Sequence, residues 1–169
     1  TYFFLDLLIK KIGSKIEIRS YLIYVLLATV CDVMPLRRLN RIISLNALNE
    51  FKIEENFAFK ELFNLTNKKN RLTINDLGYL IGPILNAGGR LGKSNYATEL
   101  LSSDNQTNIN KKSISLIELN NKRKNIETSI LNEVNFDKIE KENKNIIIYY
   151  NPNINEGLIG IIAARLKDH

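Results

Sequence analysis

The sequence is poor in the residue types on which several kinds of chemistry depend. It has one cysteine, Cys31, and one histidine, His169, which is the last residue. A single cysteine excludes a disulfide within the chain and is consistent with a reducing compartment. The apolar run from Tyr21 to Cys31 is shorter than the roughly 20 residues that span a bilayer, so we expect no membrane role.

Charge and hydrophobic content, in contrast, are those of an ordinary globular protein. Of the 169 residues, 44% are hydrophobic and 25% are charged, which is enough for one domain or for pieces of two. The formal net charge of +6 and the isoelectric point near 9.4 suit a nucleic-acid partner. They do not prove one, because lysine, asparagine and isoleucine are abundant throughout the chain.

Residues 81–92 have the composition of an anion-binding site. The segment carries Asn86, Arg90 and four glycines. Glycines let the backbone approach a ligand closely, and the donors of a guanidinium match the oxygens of a phosphate. The pattern predicts a phosphate-binding turn after an apolar approach. A helix C-cap or a loop in which Arg90 faces water is the structural alternative.

A single carboxylate, Asp32, follows the apolar run that ends at Cys31. The run is rich in β-branched residues and predicts a buried strand or a buried helix. Asp32 therefore either caps the next turn or points into a site at the end of that element.

Near the end of the sequence, residues 145–150 predict a strand. A loop with Pro152 and Gly157 follows, and residues 154–166 then form an apolar helical run. Together these segments predict a βα unit, and the free amides at the start of its helix favour anions. The alternative is an ordinary buried helix.

Between these segments the chain reads as mostly helical. Thr73 followed by Asp76 resembles a capping box that opens a helix just before the glycine-rich segment, and Ser94 is placed to cap another. Apolar spacing predicts one long amphipathic helix late in the chain. The predicted helices cover residues 40–51, 57–65, 73–81, 94–101 and 116–134, and a charged link covers residues 137–145.

Three blocks of sequence follow, in order along the chain, the motifs of one family. They are Thr29 to Leu36 with Asn40-Arg41, then Pro83 to Gly92, then Ile154 to Ala163. These blocks resemble the Gly-Thr-Val-Ala-Asp-Val-Val-Pro-Leu, Pro-Arg-x-Asn-Ala-x-Gly-Arg and Trp-His-x-Gly-Val-Ile-Gly-Ile-Val-Ala motifs. Those motifs are typical of the bacterial RecJ single-strand-specific exonucleases, members of the DHH phosphoesterase superfamily.

The chain departs from this family pattern at three positions. Ile84 stands in place of an arginine, Ile154 in place of the tryptophan, and Asn155 in place of the histidine. Asparagine cannot take up a proton near neutral pH, so an acid-base role at position 155 is lost. The Asp-His-His motif is missing, because the one histidine is His169. The sequence also has no Asp-x-Asp cluster. With Thr1 at the start instead of Met, this predicts an internal fragment without a complete active site.

The resemblance implies an α/β fold built from three parts. Residues 1–107 would be the helix-rich C-terminal part of a DHH-type catalytic domain, and residues 108–141 a long connector helix. Residues 142–169 would be the first βα unit of a DHHA1-type domain.

The resemblance also implies a metal-dependent 5′-to-3′ exonuclease that hydrolyses phosphodiester bonds of single-stranded DNA in repair and recombination. Asp32 would be catalytic as a ligand of one of two divalent cations, Mn²⁺ or Mg²⁺. The implied nucleic-acid contacts are Asn86, Arg90, Gly92, Asn155 and Gly157. We expect a cytoplasmic monomer, with a helicase or a single-strand-binding protein as candidate protein partners.

Two alternatives stay open at this point. One is a DHH-family phosphodiesterase that acts on short oligonucleotides or cyclic dinucleotides, against which the long connector helix and the Asn-Ala-x-Gly-Arg block argue. The other is a noncatalytic nucleic-acid-binding relative, which the substitutions at Ile84, Ile154 and Asn155 favour.

Overall fold

The computed structural model describes residues 1–136 and 146–168, which are helical and include no strand. The chain divides into two compact units, Thr1–Gly82 and Pro83–His169. The helices are α1 (Tyr2–Ile12), α2 (Leu22–Cys31), α3 (Arg38–Glu50), α4 (Phe57–Leu65), α5 (Ile74–Asp76), α6 (Gly82–Arg90), α7 (Asn95–Leu101), α8 (Gln106–Glu133) and α9 (Glu156–Lys167). A π-helical turn, Leu77–Ile81, precedes α6. Among the described helices, none is both long enough and apolar enough to cross a bilayer.

The helices predicted from apolar spacing are confirmed, and α8 is the long one. The capping box is also confirmed at the start of α5. There the Thr73 hydroxyl accepts from the Asp76 amide at 3.2 Å, and the Asp76 carboxylate accepts from the Thr73 amide at 2.9 Å. The apolar run before Asp32, which the sequence left open between strand and helix, is the helix α2.

In the first unit, α2 packs closely against the π-helical turn and against Gly82, the first residue of α6. Two glycines one turn apart allow this approach, because a Cβ on Gly78 would lie 3.3 Å from the Val30 side chain, and one on Gly82 would lie 2.6 Å from the Cys31 sulfur. Burial raises the pKa of the Cys31 thiol, and the charge of Asp32 raises it further. Cys31 is therefore a neutral packing residue near pH 7.

In the second unit, α8 and α9 share an apolar cluster that joins the two helices. Its buried members are Ile130 on α8, Val134 directly after α8, and Ile162 and Leu166 on α9, and Ile154 packs against their edge. Burying each such side chain contributes about 1.5–3 kcal/mol, so this cluster holds α9 on α8.

The strand predicted over residues 145–150 is not found in residues 146–150, the part of it that the structure describes. Ile146, Ile147, Ile148 and Tyr150 are exposed there. A strand needs the backbone of a neighbouring strand for its hydrogen bonds, and the described residues offer none. The described residues are therefore helix-rich, with α9 as the helix of the predicted βα unit, and the strand of that unit is not confirmed. The charged link, residues 137–145, lies outside the described residues.

Candidate nucleic-acid interface

The glycine-rich segment is a helix and not a turn over most of its length. α6 runs through Gly88 and Gly89 to Arg90, and Gly92 follows it with φ +78°. The Lys93 amide donates to the Gly88 carbonyl at 2.7 Å, which closes the helix in the manner of a Schellman C-cap. The C-cap alternative is thus correct for Gly92, which is the one glycine within residues 81–92 that has a left-handed backbone.

Gly88 is required for packing and not for backbone conformation. A Cβ at this position would lie 2.6 Å from the Lys93 carbonyl oxygen and 3.1 Å from the Leu116 side chain on α8. The sequence pattern could not separate this use of glycine from a flexible turn, because both favour the same residue.

The end of α6 meets the first turn of α9. A guanidinium NH of Arg90 donates to the Gly157 carbonyl at 2.9 Å. A Cβ on Gly157 would lie 2.8 Å from the Arg90 Cα and closer still to the Arg90 carbonyl oxygen, so only glycine fits there. Two residues that are 67 positions apart in the sequence, and that were predicted separately as nucleic-acid contacts, are therefore in direct contact.

Asn155 is the N-cap of α9. Its side-chain oxygen accepts from the Gly157 amide at 2.9 Å, which satisfies one of the free donors at the helix start. Its neighbour Ile154 packs against the apolar cluster of α8 and α9. The two residues that depart from the Trp-His motif thus cap and anchor the helix.

The donors that remain at this place are suited to an anion. Arg90 is half-buried, and only one NH of its guanidinium is bonded to protein among the described residues. Asn86 lies one turn earlier on the same face of α6, and its exposed amide has no partner within the described residues. The N-terminal end of α9 adds a partial positive charge, which the exposed Glu156 in its first turn offsets in part.

Ile84 belongs to the core. It is 2% exposed, so no phosphate contact is made from the position where the family motif has an arginine. Among the motif positions on α6, Arg90 and Asn86 keep side-chain donors that are unbonded within the described residues.

Asp32 lies in the first unit, at the C-terminal end of α2. It is exposed, and its carboxylate has no hydrogen bond or ion pair within the described residues. The next residue, Val33, has φ +54° and occupies the position where a helix usually ends in glycine. The alternative that Asp32 caps the next turn finds no support, because its side chain bonds no backbone amide there.

Asp32 and Arg90 lie in different units, so their convergence on one substrate stays a prediction. The described residues also include no group of three histidine, cysteine, aspartate or glutamate side chains that could hold a metal ion. Asp32 is an oxygen donor of the kind that Mn²⁺ and Mg²⁺ prefer, but one carboxylate does not make a metal site.

One polar network was missed in the sequence. On α8, the two carboxylate oxygens of Glu127 accept from Arg123 at 3.0 Å and from Arg165 of α9 at 2.9 Å, and Asn120 accepts from Arg123 at 3.2 Å. The spacing of Arg123 and Glu127, four residues apart on a helix, was the available signal.

Similarity to known proteins extends over most of the chain. No family model matches it. The single-stranded-DNA-specific exonuclease RecJ of Haemophilus influenzae is 32% identical over 151 residues, which are 85% of this chain and 26% of that protein. The RecJ of Escherichia coli matches with the same identity and coverage. The RecJ of Bacillus subtilis is 26% identical over 148 residues, 84% of this chain and 18% of that protein.

Solved structures give the same result for the fold. The crystal structure of RecJ in complex with Mn²⁺ from Thermus thermophilus superposes with a TM-score of 0.78 at 22% identity, covering 95% of this chain and 24% of that one. A crystal structure of exonuclease RecJ bound to manganese gives 0.77 at 23% identity, covering 94% of this chain and 40% of that one. The resemblance drawn from the three motif blocks is confirmed. The chain spans about a quarter of the length of the curated RecJ proteins from H. influenzae and E. coli.

Proposed function

We propose that this chain is part of a metal-dependent exonuclease that hydrolyses single-stranded DNA from the 5′ end. The observation that carries the proposal is the contact between Arg90 and the first turn of α9. It joins an arginine to the capped N-terminus of a twelve-residue helix, and the free amide of Asn86 lies one helical turn before that arginine on α6. Guanidinium groups and helix N-termini are both well suited to bind phosphate.

In this proposal Arg90 and Asn86 bind a phosphate of the strand. The Arg90 guanidinium keeps unbonded donors for the phosphate while its bond to Gly157 fixes its direction. Asn155, Gly157 and Gly92 line the path of the DNA strand, and the left-handed backbone of Gly92 ends α6 there.

Asp32 acts as a metal ligand in this proposal. Its carboxylate is exposed and unbonded in the described residues, and it stands at the negative end of the α2 dipole, where a nearby cation is favourable. The left-handed Val33 beside it is backbone strain of the kind that concentrates at functional sites. Two divalent cations, Mn²⁺ or Mg²⁺, would activate water and stabilise the charge that develops on the phosphate. Asp32 supplies one ligand, and the other ligands come from outside the described residues.

The remaining parts of the proposal follow the motif resemblance. The chain comprises the C-terminal part of a DHH-type catalytic domain (1–107), a connector that contains most of α8 (108–141) and the start of a DHHA1-type domain (142–169), whose predicted βα unit includes α9. The full-length protein is a cytoplasmic monomer that acts in repair and recombination, with a helicase or a single-strand-binding protein as partners.

The test of this function is the salt dependence of DNA binding by full-length protein. Arg90→Ala should weaken binding to a 5′-phosphorylated single strand, and the slope of log affinity against log salt should fall by about 0.7, which is one phosphate contact. The control is Lys69→Ala, which removes one charge from an exposed side chain without bonds among the described residues. A slope that is unchanged in Arg90→Ala would return Arg90 to a purely structural role.

A further inference from the structure

We propose that Arg165 is a second contact to the phosphate backbone of single-stranded DNA, held in place by Glu127. This inference rests on the function proposed above. Arg165 lies in the last turn of α9, and its Nε donates to Glu127 at 2.9 Å. Its side chain is 60% exposed, and the two terminal nitrogens of its guanidinium have no partner within the described residues.

Glu127 is shared by one buried arginine and one exposed arginine. One carboxylate faces two guanidinium groups, those of Arg123 and Arg165. The Arg123 side chain is 13% exposed and the Glu127 side chain 11%, so these two form the buried pair. After Glu127, the charge of Asp168 also raises the pKa of Arg165, so the charges here are matched and Arg165 is the exposed cation of the network.

Glu127 does not need Arg165 to balance its buried charge. Glu127 is already paired with Arg123, and Arg123 is bonded to Asn120 as well. An ion pair with a partner as exposed as Arg165 contributes little to the free energy of unfolding. What Glu127 does give Arg165 is direction, because a guanidinium fixed through Nε presents its two terminal NH2 groups outwards as a fork that fits a phosphate.

The position of Arg165 on α9 suits a DNA strand that runs past Gly157. Arg165 is eight residues further along, which is roughly 12 Å along the helix axis and roughly 80° around it. Arg90 at the start of α9 and Arg165 near its end therefore offer phosphate contacts at the two ends of one helix.

The experiment measures binding of a long single-stranded oligonucleotide to full-length protein between about 50 and about 200 mM salt, by fluorescence anisotropy. Arg165→Gln should weaken binding several-fold and reduce the salt slope by about 0.7. Arg123→Gln is the matched control, since it removes the other partner of the same carboxylate. It should lower the thermal midpoint of unfolding, because it breaks the buried pair, and leave the slope unchanged.

Each outcome decides the inference. If Arg165→Gln leaves the slope unchanged while Arg90→Ala reduces it, the second contact is refuted and the proposed function stands. Equal losses of slope in Arg165→Gln and Arg123→Gln would show that Arg165 acts through the fold, which also refutes it. Absence of binding by the unaltered protein would overturn both the inference and the proposed function.

Discussion

The two units of the chain carry their predicted site residues in opposite ways. In the second unit, Arg90, Asn155 and Gly157 come from separate stretches of sequence and lie together around the start of α9. In the first unit, Asp32 stands exposed at the end of α2 and bonds nothing within the described residues. The arrangement that we propose to bind phosphate is thus assembled by this chain's own packing, whereas a metal site would need further ligands around Asp32.

This difference follows from the chemistry of the two kinds of site. Phosphate binding uses backbone amides, a helix end and one arginine, which a single pair of packed helices can supply. A divalent cation of the Mg²⁺ or Ca²⁺ type requires several oxygen ligands, and those rarely come from one short segment. The predictions below test each side of the comparison, beginning with the largest expected effect.

Asp32→Asn in full-length protein should reduce Mn²⁺-supported cleavage of single-stranded DNA by about 100-fold or more, the scale for losing one preorganised electrostatic contact in an active site. The thermal midpoint of unfolding should stay the same, because the Asp32 carboxylate has no bonds to lose among the described residues. Asp104→Asn, another exposed aspartate, is the control and should cleave normally. Full activity in Asp32→Asn would show that Asp32 is not a metal ligand.

Gly157→Ala tests the assembled side of the comparison. The new methyl group would meet the Arg90 backbone, so we expect a loss of about 2 kcal/mol in the free energy of unfolding and weaker DNA binding. Gly160→Ala, on the same helix, meets no atom within 4 Å and should instead stabilise by about 0.5–1 kcal/mol. Thermal unfolding of both variants measures the contrast. Equal stabilities would mean that α9 does not depend on the close contact at Gly157.

The smallest expected effect is a pH dependence in the first unit. Burial alone would raise the pKa of Asp76, but the ion pair with Lys68 at 2.8 Å and the hydrogen bonds from Thr73 outweigh it and hold the pKa below its ordinary value. A lowered pKa in the folded state gives stability that is present above the ordinary value of about 3.9 and is lost as the pH falls through the folded value.

Asp76→Asn should therefore cost about 1 kcal/mol at pH 7, the usual scale for losing a cap. The gap to the unaltered protein should close as the pH is lowered below about 4. Thermal unfolding of the two proteins side by side measures it, and a gap that stays constant with pH would show that the Asp76 charge does not contribute.

Local rules predicted much of this fold. The capping box at Thr73, the long helix α8 and the helix α9 all follow from spacing and capping residues that act within a few positions of one another. Residues 81–90 were misjudged because their glycines serve packing against Leu116 and Cys31, which are distant in sequence. The strand over 145–150 was predicted from its β-branched residues, but strand formation also requires a partner that the pattern does not contain.

The sequence selected the residues of the candidate site, but it did not predict the contacts among them. The motif resemblance selected Arg90, Asn155 and Gly157, but their convergence depends on how α9 packs on α6, which no local pattern encodes. The contact of Arg165 was equally unpredictable, because it depends on α9 bringing Arg165 to Glu127, which Arg123 also contacts on α8.

The close approach at Gly157 also sets the register of α9. If α9 slid by one residue in either direction, the side chain of Glu156 or Leu158 would have to occupy the space that the Arg90 backbone fills, and no side chain fits there. This contact therefore fixes the position of α9 along its own axis. It also fixes the distances between the exposed side chains of α9 and the C-terminal end of α6.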